Sequence, residues 1–392
     1  MKIDNRAIRV LGKGLTALAV KDKFPNAILY DDKDFSLYDL ESDEITVVSP
    51  GIPPYNEMIG KSKNLQSDYD LYSDTMPFSI WISGTNGKTT TTQMTQHILN
   101  EYNSVCGGNI GTPLSKLDDS ASIWILETSS FTLHYTNIAK PNLYILLPIS
   151  EDHISWHGTY EEYKLSKIKP VLSMNEGEIA IVPEEFKDIK TNAHLITYKN
   201  SDDLCEVFNI DKTKIKFNEP FLMDALLALA SKKILFDEID YEKINTFTID
   251  EHKVEEFYDN KDRLWVNDSK ATNVDATINA LIPYKEMDLH IILGGDDKGA
   301  NLIPLFEEIK DLNITVYAIG TNTNKLIDYC KEYGIKANKC EILENAVNLI
   351  HVNIGVNSLG ILSPAAASLD QFPSYAQRGK EFKNLVDKLS KL

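Results

Sequence analysis

The segment Gly84-Thr85-Asn86-Gly87-Lys88-Thr89-Thr90 has the residue types of a loop that binds the phosphates of a nucleotide. Its glycines let backbone N–H groups turn toward an anion, and its lysine can reach the β- and γ-phosphates. The helix that should follow favours negative charge at its N-terminus, and the Thr89 hydroxyl would bind Mg²⁺. The strict pattern has a glycine where this chain has Ile82, so the loop is a compact variant. The sequence therefore predicts an ATP site built from residues 84–90.

Three further polar groups follow predicted strands of the same region. Glu127 ends the apolar run 122–127, Asp152 and His153 follow the run 143–147, and Asn109 lies in the glycine-rich segment 107–111. Open α/β sheets bind ligands just past the carboxyl ends of their strands. A carboxylate, an imidazole and a hydroxyl near one triphosphate are plausible metal ligands. Taken singly, each of these groups also fits an ordinary polar loop.

A second phosphate-binding pattern lies near the N-terminus. Gly12-Lys13-Gly14-Leu15-Thr16-Ala17 follows an apolar run, and Asp31 ends the next one. One interpretation is the dinucleotide-binding turn of a dehydrogenase. That interpretation leaves the loop at 84–90 without a role. The other interpretation is a turn that holds the pyrophosphate of a UDP-linked substrate.

In the last third of the chain, lysines and hydroxyls follow three predicted strands, in the segments 267–273, 294–298 and 363–368. Such donors are what the carboxylates of a small dicarboxylate need. The alternative is a set of solvated loops whose lysines are surface charges.

Short apolar runs alternate with helical patterns along almost the whole chain, which is typical of parallel α/β units. Strands are predicted at 7–12, 27–31, 45–49, 78–83, 122–127, 143–147, 179–182, 264–267, 290–294, 315–320 and 360–363, and an apolar helix at 221–235. We expect an α/β protein of three domains, with boundaries near residues 77 and 250. The N-terminal domain (1–77) and the C-terminal domain (251–392) should be Rossmann-like, and the central one (78–250) a parallel sheet of the P-loop ATPase type.

Composition narrows the class of partner. The 392 residues carry a formal net charge of −18, which argues against nucleic acid and anionic membranes. The charged N-terminal segment lacks the apolar core of a secretory signal, and no apolar run reaches the length of a membrane span. Four cysteines without a paired spacing predict free thiols in a reducing compartment. We therefore expect a cytoplasmic enzyme.

The motifs together resemble the Mur ligases of peptidoglycan synthesis over essentially the whole chain. The matching blocks, in the order of the family, are GTNGKTT at 84–90, GGNIGTP at 107–113, ETSSF at 127–131, SEDH at 150–153, NDSKATN at 267–273, LGGDDKG at 293–299 and SPAAASLDQF at 363–372. The blocks of the last third are similar to those of the D-glutamate-adding branch. The alternative within the same superfamily is a ligase for another amino acid or one that extends folate.

The resemblance implies a monomeric enzyme that uses ATP as co-substrate to activate a carboxylate as an acyl phosphate, with two Mg²⁺ sites. It implies UDP-N-acetylmuramoyl-L-alanine and D-glutamate as the partners that are joined. Lys88, His153 and Lys167 would then be catalytic, and the metal ligands would be Thr89, Glu127, His153 and Lys167. The resemblance also implies that Lys167 is carbamylated. The alternative is a plain ammonium paired with phosphate or with Glu161 or Glu162.

The same resemblance implies the substrate contacts. The UDP-linked substrate would be held by Leu15, Thr16, Asp31, Asn109 and Ser129. D-Glutamate would be held by Lys270, Thr272, Lys298, Ser368 and Tyr375. One segment departs from the family: Pro220-Phe221-Leu222-Met223-Asp224 stands where a His-Asn…Asn pattern is expected. Adenine recognition is therefore left without an assigned residue.

Overall fold

The computed structural model of the chain describes residues 8–39, 42–355 and 357–391. The described residues form three sheets with helices between their strands, which confirms the predicted α/β class. The chain divides into two compact units, one comprising the chain up to Phe217 with Phe221–Phe247 and the other Asn218–Pro220 with Thr248–Leu392. The first unit holds two of the sheets and the second unit one. The three-domain boundaries near 77 and 250 stay a prediction.

The first sheet is small and parallel, with strand order β2-β1-β3-β4. Its strands are β1 (Ile8–Leu11), β2 (Ile28–Tyr30), β3 (Ile45–Val48) and β4 (Leu65–Gln66), and its helices are α1 (Leu15–Lys23) and α2 (Glu57–Lys61). The predicted first strand begins at Ala7, which lies outside the described residues. β1 and β3 are buried along nearly their whole length, as parallel strands usually are.

The second sheet has six parallel strands in the order β10-β9-β8-β5-β7-β6. They are β5 (Phe78–Ser83), β6 (Ser104–Gly108), β7 (Ile123–Glu127), β8 (Leu143–Leu146), β9 (Ile179–Pro183) and β10 (His194–Tyr198). The helices of this part are α3 (Lys88–Leu99), α4 (Ser130–Tyr135), α5 (Ile154–His157), α6 (Tyr160–Ser173), α7 (Ser201–Phe208), α8 (Phe221–Phe236) and α9 (Tyr241–Asn245). β5 lies between β8 and β7, so its carboxyl end is flanked by two strand ends that can carry ligand groups.

The third sheet also has six strands, in the order β11-β12-β16-β13-β14-β15, and only the β11–β12 pair is antiparallel. The strands are β11 (Glu255–Tyr258), β12 (Leu264–Asn267), β13 (Asp288–Gly294), β14 (Ile314–Ile319), β15 (Lys336–Glu341) and β16 (Ser358–Leu362). Its helices are α10 (Val274–Leu281), α11 (Ile303–Ile309), α12 (Thr323–Glu332), α13 (Leu343–Asn353) and α14 (Tyr375–Ser390). Within the described ranges, no helix is long and apolar enough to cross a membrane.

Candidate active site

The predicted phosphate loop joins β5 to α3, and both of its glycines have backbone conformations that favour glycine. Gly84 has φ +143° and Gly87 has φ +81°. A Cβ added to Gly84 would lie 2.6 Å from the Cβ of Leu147, so the loop passes too close to β8 for a side chain. Gly87 precedes α3 and offers no capping side chain. The N-terminal turn of α3 is therefore suited to an anionic ligand.

α3 begins at Lys88, inside the segment that was predicted as the loop. Lys88, Thr89 and Thr90 thus form the first turn of the helix, where the N–H groups that favour an anion are found. Thr85 ties the loop to the chain after β8: its N–H donates to the Pro148 carbonyl (3.1 Å), and its Oγ1 lies 2.9 Å from the Tyr163 hydroxyl. These contacts hold the first part of the loop.

Glu127 brings three of the predicted site residues together. Its carboxylate is 2% exposed at the end of β7. Thr89 Oγ1 donates to one carboxylate oxygen at 2.8 Å, and Asn109 Nδ2 donates to the other at 2.6 Å. Asn109 was assigned to the UDP-linked substrate, and its amide here supports the carboxylate. A hydroxyl and a carboxylate oxygen beside a phosphate loop suit Mg²⁺, a hard cation that prefers oxygen ligands.

Lys167 lies on α6 and points to the same loop. It is 1% exposed, and its Nζ donates to the Gly84 carbonyl at 2.6 Å. Its ammonium also lies 4.8 Å from the centre of the Tyr163 ring. Burial lowers the pKa of Lys167 well below its ordinary value, Lys88 lowers it further, and Asp152 and Glu127 act in the opposite direction. The neutral form of the amine, which burial favours, is chemically able to react with CO₂, and a plain ammonium can keep the Gly84 contact.

His153 and Ser129 differ in exposure: the His153 ring is half-exposed and Ser129 is buried. His153 has φ +55° and a half-exposed ring, with Nε2 3.6 Å from Asp152 Oδ2 and the ring centre 4.7 Å from that of Phe131. Ser129 is buried and is the N-cap residue of α4, where its Oγ accepts from the Thr132 N–H at 3.1 Å. Among the described residues, no group of three or more His, Cys, Asp or Glu side chains could hold a metal alone. Phosphate or water oxygens would have to complete any Mg²⁺ site here.

Sequence reasoning missed two aromatic contributors. Tyr163 contacts both Thr85 and Lys167, and its spacing four residues before Lys167 on one helix face was an available signal. His157 is buried, and its Nε2 lies 3.0 Å from Ser130 Oγ. Burial lowers the pKa of His157 to about 3, with His134, His153 and Lys167 contributing in the same direction. Its imidazole is therefore neutral and serves the packing around α4 and α5.

The N-terminal turn lies at the carboxyl ends of β1 and β3. Gly12 has φ +109°, and a Cβ there would lie 2.5 Å from Ser49 Oγ. Leu15 is 76% exposed at the start of α1, directly before Thr16. Asp31 is engaged by Lys13, whose Nζ lies 3.1 Å from Asp31 and 2.8 Å from Asp34. Lys13 is the residue that sequence reasoning did not single out, although it stands inside the turn motif.

In the second unit, the residues predicted to bind D-glutamate lie in two pairs of contacting segments. Lys270 Nζ lies 4.3 Å from the centre of the Tyr375 ring, and Thr272 is exposed two residues further on. The loops that carry Lys298 and Ser368 pair through backbone bonds between Asp296 and Ala367, both 2.9 Å. Lys298 is exposed, whereas Ser368 is buried. The structure thus joins Lys270 to Tyr375 and the Lys298 loop to the Ser368 loop.

Arg378 lies beneath these segments and was missed by the sequence analysis. It is 1% exposed, and its guanidinium donates to Ser269 Oγ (3.0 Å), to the Ser269 carbonyl (2.9 Å) and to the Ala366 carbonyl (3.1 Å). Nearby, Asp268 accepts from Ser363 Oγ at 2.6 Å, and burial raises the pKa of Asp268 to about 7. These buried groups fix the segment that presents the exposed Lys270 and Thr272.

The fold resembles that of solved ligases that bind ADP. The MurF ligase from Thermotoga maritima in complex with ADP aligns with a TM-score of 0.63 at 16% identity, covering 100% of this chain and 99% of that one. The folylpolyglutamate synthase of Mycobacterium tuberculosis, complexed with ADP and AMPPCP, aligns with a TM-score of 0.53 at 12% identity over 80% of this chain and 92% of that one. At these identities the likeness defines the fold alone: that of the Mur-type ligases.

Sequence similarity is far more specific. The Mur ligase middle domain matches residues 82–222. A UDP-N-acetylmuramoylalanine–D-glutamate ligase of Campylobacter jejuni is 52% identical over 370 residues, which are 94% of this chain and 91% of the relative. One of Helicobacter pylori is 40% identical over 97% of this chain and 99% of its own length. The chain therefore belongs to the Mur ligases, in the family of the UDP-N-acetylmuramoylalanine–D-glutamate ligases, which confirms the predicted resemblance.

Proposed function

We propose that this enzyme joins D-glutamate to UDP-N-acetylmuramoyl-L-alanine with hydrolysis of ATP to ADP and phosphate, in cytoplasmic synthesis of peptidoglycan precursors. The observation that carries the proposal is the 52% identity over 94% of the chain, because it spans both the phosphate loop and the last third of the chain. Family membership also decides against the dehydrogenase interpretation of the N-terminal turn.

The reaction proceeds in two steps. A carboxylate oxygen of the L-alanine arm attacks the γ-phosphorus of ATP, and the bond to ADP breaks. The amine of D-glutamate then attacks the acyl carbon, phosphate leaves, and the nitrogen loses a proton to give the amide. Residues 84–90 bind the triphosphate, and Lys88 neutralises charge on the phosphoryl group that moves. Orienting the two substrates supplies roughly 7–11 kcal/mol of the barrier.

The protein would hold two Mg²⁺ ions in this site. Thr89 and Glu127 are assigned to one ion, and His153 and a carbamylated Lys167 to the other. Bound Mg²⁺ neutralises negative charge on phosphate oxygens. The hydrogen bonds of Thr89 and Asn109 to Glu127 support this assignment, because they orient both carboxylate oxygens beside the loop.

The substrates are assigned to the remaining predicted residues. Leu15, Thr16, Asp31, Asn109 and Ser129 contact the UDP-linked substrate. Lys270, Thr272, Lys298, Ser368 and Tyr375 bind D-glutamate, for which exposed ammonium groups above a buried support offer the donors that carboxylates need. We expect the enzyme to be a monomer, which size-exclusion chromatography with light scattering would test.

The experiment that tests the proposal is an ADP-release assay over a panel of acceptors and amino acids. ADP release should require both UDP-N-acetylmuramoyl-L-alanine and D-glutamate, and L-glutamate, D-alanine and L-lysine should give background rates. Dihydrofolate with L-glutamate tests the folate-extending alternative. Release that depends on a different acceptor or a different amino acid would contradict the proposal.

A further inference from the structure

The segment that departs from the family opens α8 with a buried carboxylate. Asp224 lies in the first turn of this helix and is 3% exposed. Its Oδ1 accepts a hydrogen bond from Thr91 Oγ1 at 2.7 Å, and Thr91 is fully buried on α3. A carboxylate in such a place is costly unless it is hydrogen-bonded. Asp224 therefore has a defined partner on the helix that follows the phosphate loop.

The same carboxylate also contacts the phosphate loop. A Cβ on Gly87 would lie 2.6 Å from Asp224 Oδ1 and 2.6 Å from Leu147 Cδ2. Gly87 has φ +81°, so both its backbone conformation and its surroundings favour glycine. Asp224 therefore packs against the junction between loop and helix and holds Thr91, one turn further on.

The electrostatics of the N-terminal turns of α3 and α8 favour a carboxylate at the position of Asp224. α3 begins without a capping side chain and has no acidic residue in its first turn, while the acidic residue in the first turn of α8 is Asp224. A negative charge is stabilised near a helix N-terminus. At the other end of α8, the buried Lys232 is paired with Glu101 and Asp240, both at 3.1 Å. The two buried charges of α8 thus each have specific partners.

We propose that Asp224 is a positioning residue of the nucleotide site, which sets the phosphate loop against α8 through its hydrogen bond to Thr91 and its contact with Gly87. The inference rests on the proposed function only in taking this loop as the ATP site. The segment 220–224, which departs from the family pattern, would then fix the geometry of the phosphate loop. It would do so through the hydrogen bond between Asp224 on α8 and Thr91 on α3.

The test is the affinity of the purified enzyme for ADP with Mg²⁺, measured by isothermal titration calorimetry. Asp224→Ala and Thr91→Val should each weaken binding about tenfold, because each removes a hydrogen bond to a charged group. Their double mutant should bind no more weakly than Asp224→Ala, since Thr91→Val removes only a contact that Asp224→Ala also removes. Asp224→Asn keeps an acceptor oxygen and Thr91→Ser keeps the hydroxyl, so both should stay within about threefold of wild type.

Ser231→Ala is the matched control, because the buried Ser231 hydroxyl on the same helix donates only to Leu227 of its own helix, at 3.0 Å. It should bind ADP like wild type. Thermal unfolding checks each variant, and if Asp224→Ala does not fold, the nearly isosteric Thr91→Val decides. Wild-type ADP affinity of Thr91→Val, or effects that multiply in the double mutant, would overturn the inference.

ADP binding requires neither the UDP-linked substrate nor an amino acid, so the series remains informative if the ligation assay fails. In the complete reaction, Thr91→Val should raise KM for ATP about tenfold and leave KM for D-glutamate unchanged. An equal rise of both constants would indicate a general loss of structure and would contradict the positioning role.

Discussion

The proposed nucleotide site of the first unit and the proposed amino-acid segments of the second unit present their functional groups in opposite ways. In the first unit, Glu127 and Lys167 are 2% and 1% exposed and are already hydrogen-bonded to other site residues. In the second unit, Lys270 and Lys298 are exposed, and the buried groups are the supporting Asp268 and Arg378. In the proposed nucleotide site, the functional groups hold one another in place. In the proposed amino-acid segments, buried residues that are not assigned to the ligand hold the backbone that carries the functional groups.

This difference fits the ligand that we propose for each region. Phosphoryl transfer needs charges fixed where negative charge develops, in a place with little water to screen them. A small, mobile dicarboxylate can instead be captured by exposed ammonium groups if the backbone that carries them is rigid. Lys298 has φ +50°, and this conformation is held by side-chain acceptors: Asp296 accepts from the Lys298 N–H (3.0 Å) and Asp297 from the Gly299 N–H (2.9 Å).

The largest expected effect comes from Lys88→Ala in the nucleotide site. We expect the rate of ADP release to fall about a hundred- to a thousandfold, since the variant removes a fixed charge from the moving phosphoryl group. Thermal unfolding should change little, because the half-buried Lys88 side chain donates to the Thr85 carbonyl of its own loop, at 2.6 Å. A turnover close to that of wild type would contradict the ATP-site assignment.

Lys167 should give the next largest effect, through the carbamate. In the proposed carbamate, the neutral Nζ would attack CO₂, forming a C–N bond as one C=O π bond opens. The nitrogen would release its proton to water and leave an anionic oxygen of the kind that Mg²⁺ prefers as a ligand. We expect activity to fall about tenfold or more in CO₂-depleted buffer and to return with bicarbonate, as for loss of a charged ligand. A crystal structure should show a planar three-atom extension on Lys167.

The alternative is that Lys167 is an unmodified ammonium. As a plain ammonium it would keep its donor contact with the Gly84 carbonyl, 2.6 Å away, and the loop would still be held. Full activity in CO₂-depleted buffer, together with electron density for an unmodified side chain, would establish that alternative. Either result shows whether the buried Lys167 acts as a metal ligand or supports the phosphate loop.

Lys298→Ala tests whether an exposed lysine of the second unit binds D-glutamate. We expect KM for D-glutamate to rise about ten- to a hundredfold while KM for ATP stays the same, because one charge-assisted hydrogen bond to the amino acid is lost. Lys331→Ala is the matched control: this lysine is 74% exposed in the same unit and pairs with Asp328. An unchanged KM for D-glutamate would mean that Lys298 is an ordinary surface charge.

The elements with strong apolar runs could be predicted from the sequence, and the polar ones could not. β15 is mostly exposed and reads Lys-Ala-Asn-Lys-Cys-Glu, so no alternation of apolar residues indicates a strand. β6 ends in two glycines, which favoured a loop at 107–111. In both cases tertiary pairing with a neighbouring strand decides the structure, and local propensity does not contain that information.

The same limit applies to the site. The phosphate loop and Glu127 lie in local motifs that the sequence alone indicates as a candidate site, and Lys167 is implied only by the family resemblance. Arg378 and Ser269 are 109 residues apart, and Thr91 and Asp224 are 133 apart. Such contacts depend on how sheets and helices pack, and a single sequence does not specify them. The buried supporting groups are therefore what only the structure adds.

The smallest expected effect comes from Tyr375→Phe in the amino-acid segments. Lys270 Nζ lies 4.3 Å from the centre of this ring, and phenylalanine keeps the ring and its attraction for the ammonium. We expect kcat/KM for D-glutamate to change less than about threefold, whereas Tyr375→Leu should lower it about two- to fivefold, as for loss of an exposed cation–π contact. Steady-state kinetics with D-glutamate as the varied substrate measures both. If Tyr375→Phe were as damaging as Lys298→Ala, the hydroxyl itself would bind the amino acid. The buried support beneath Lys270 would then be only part of how this region is organised.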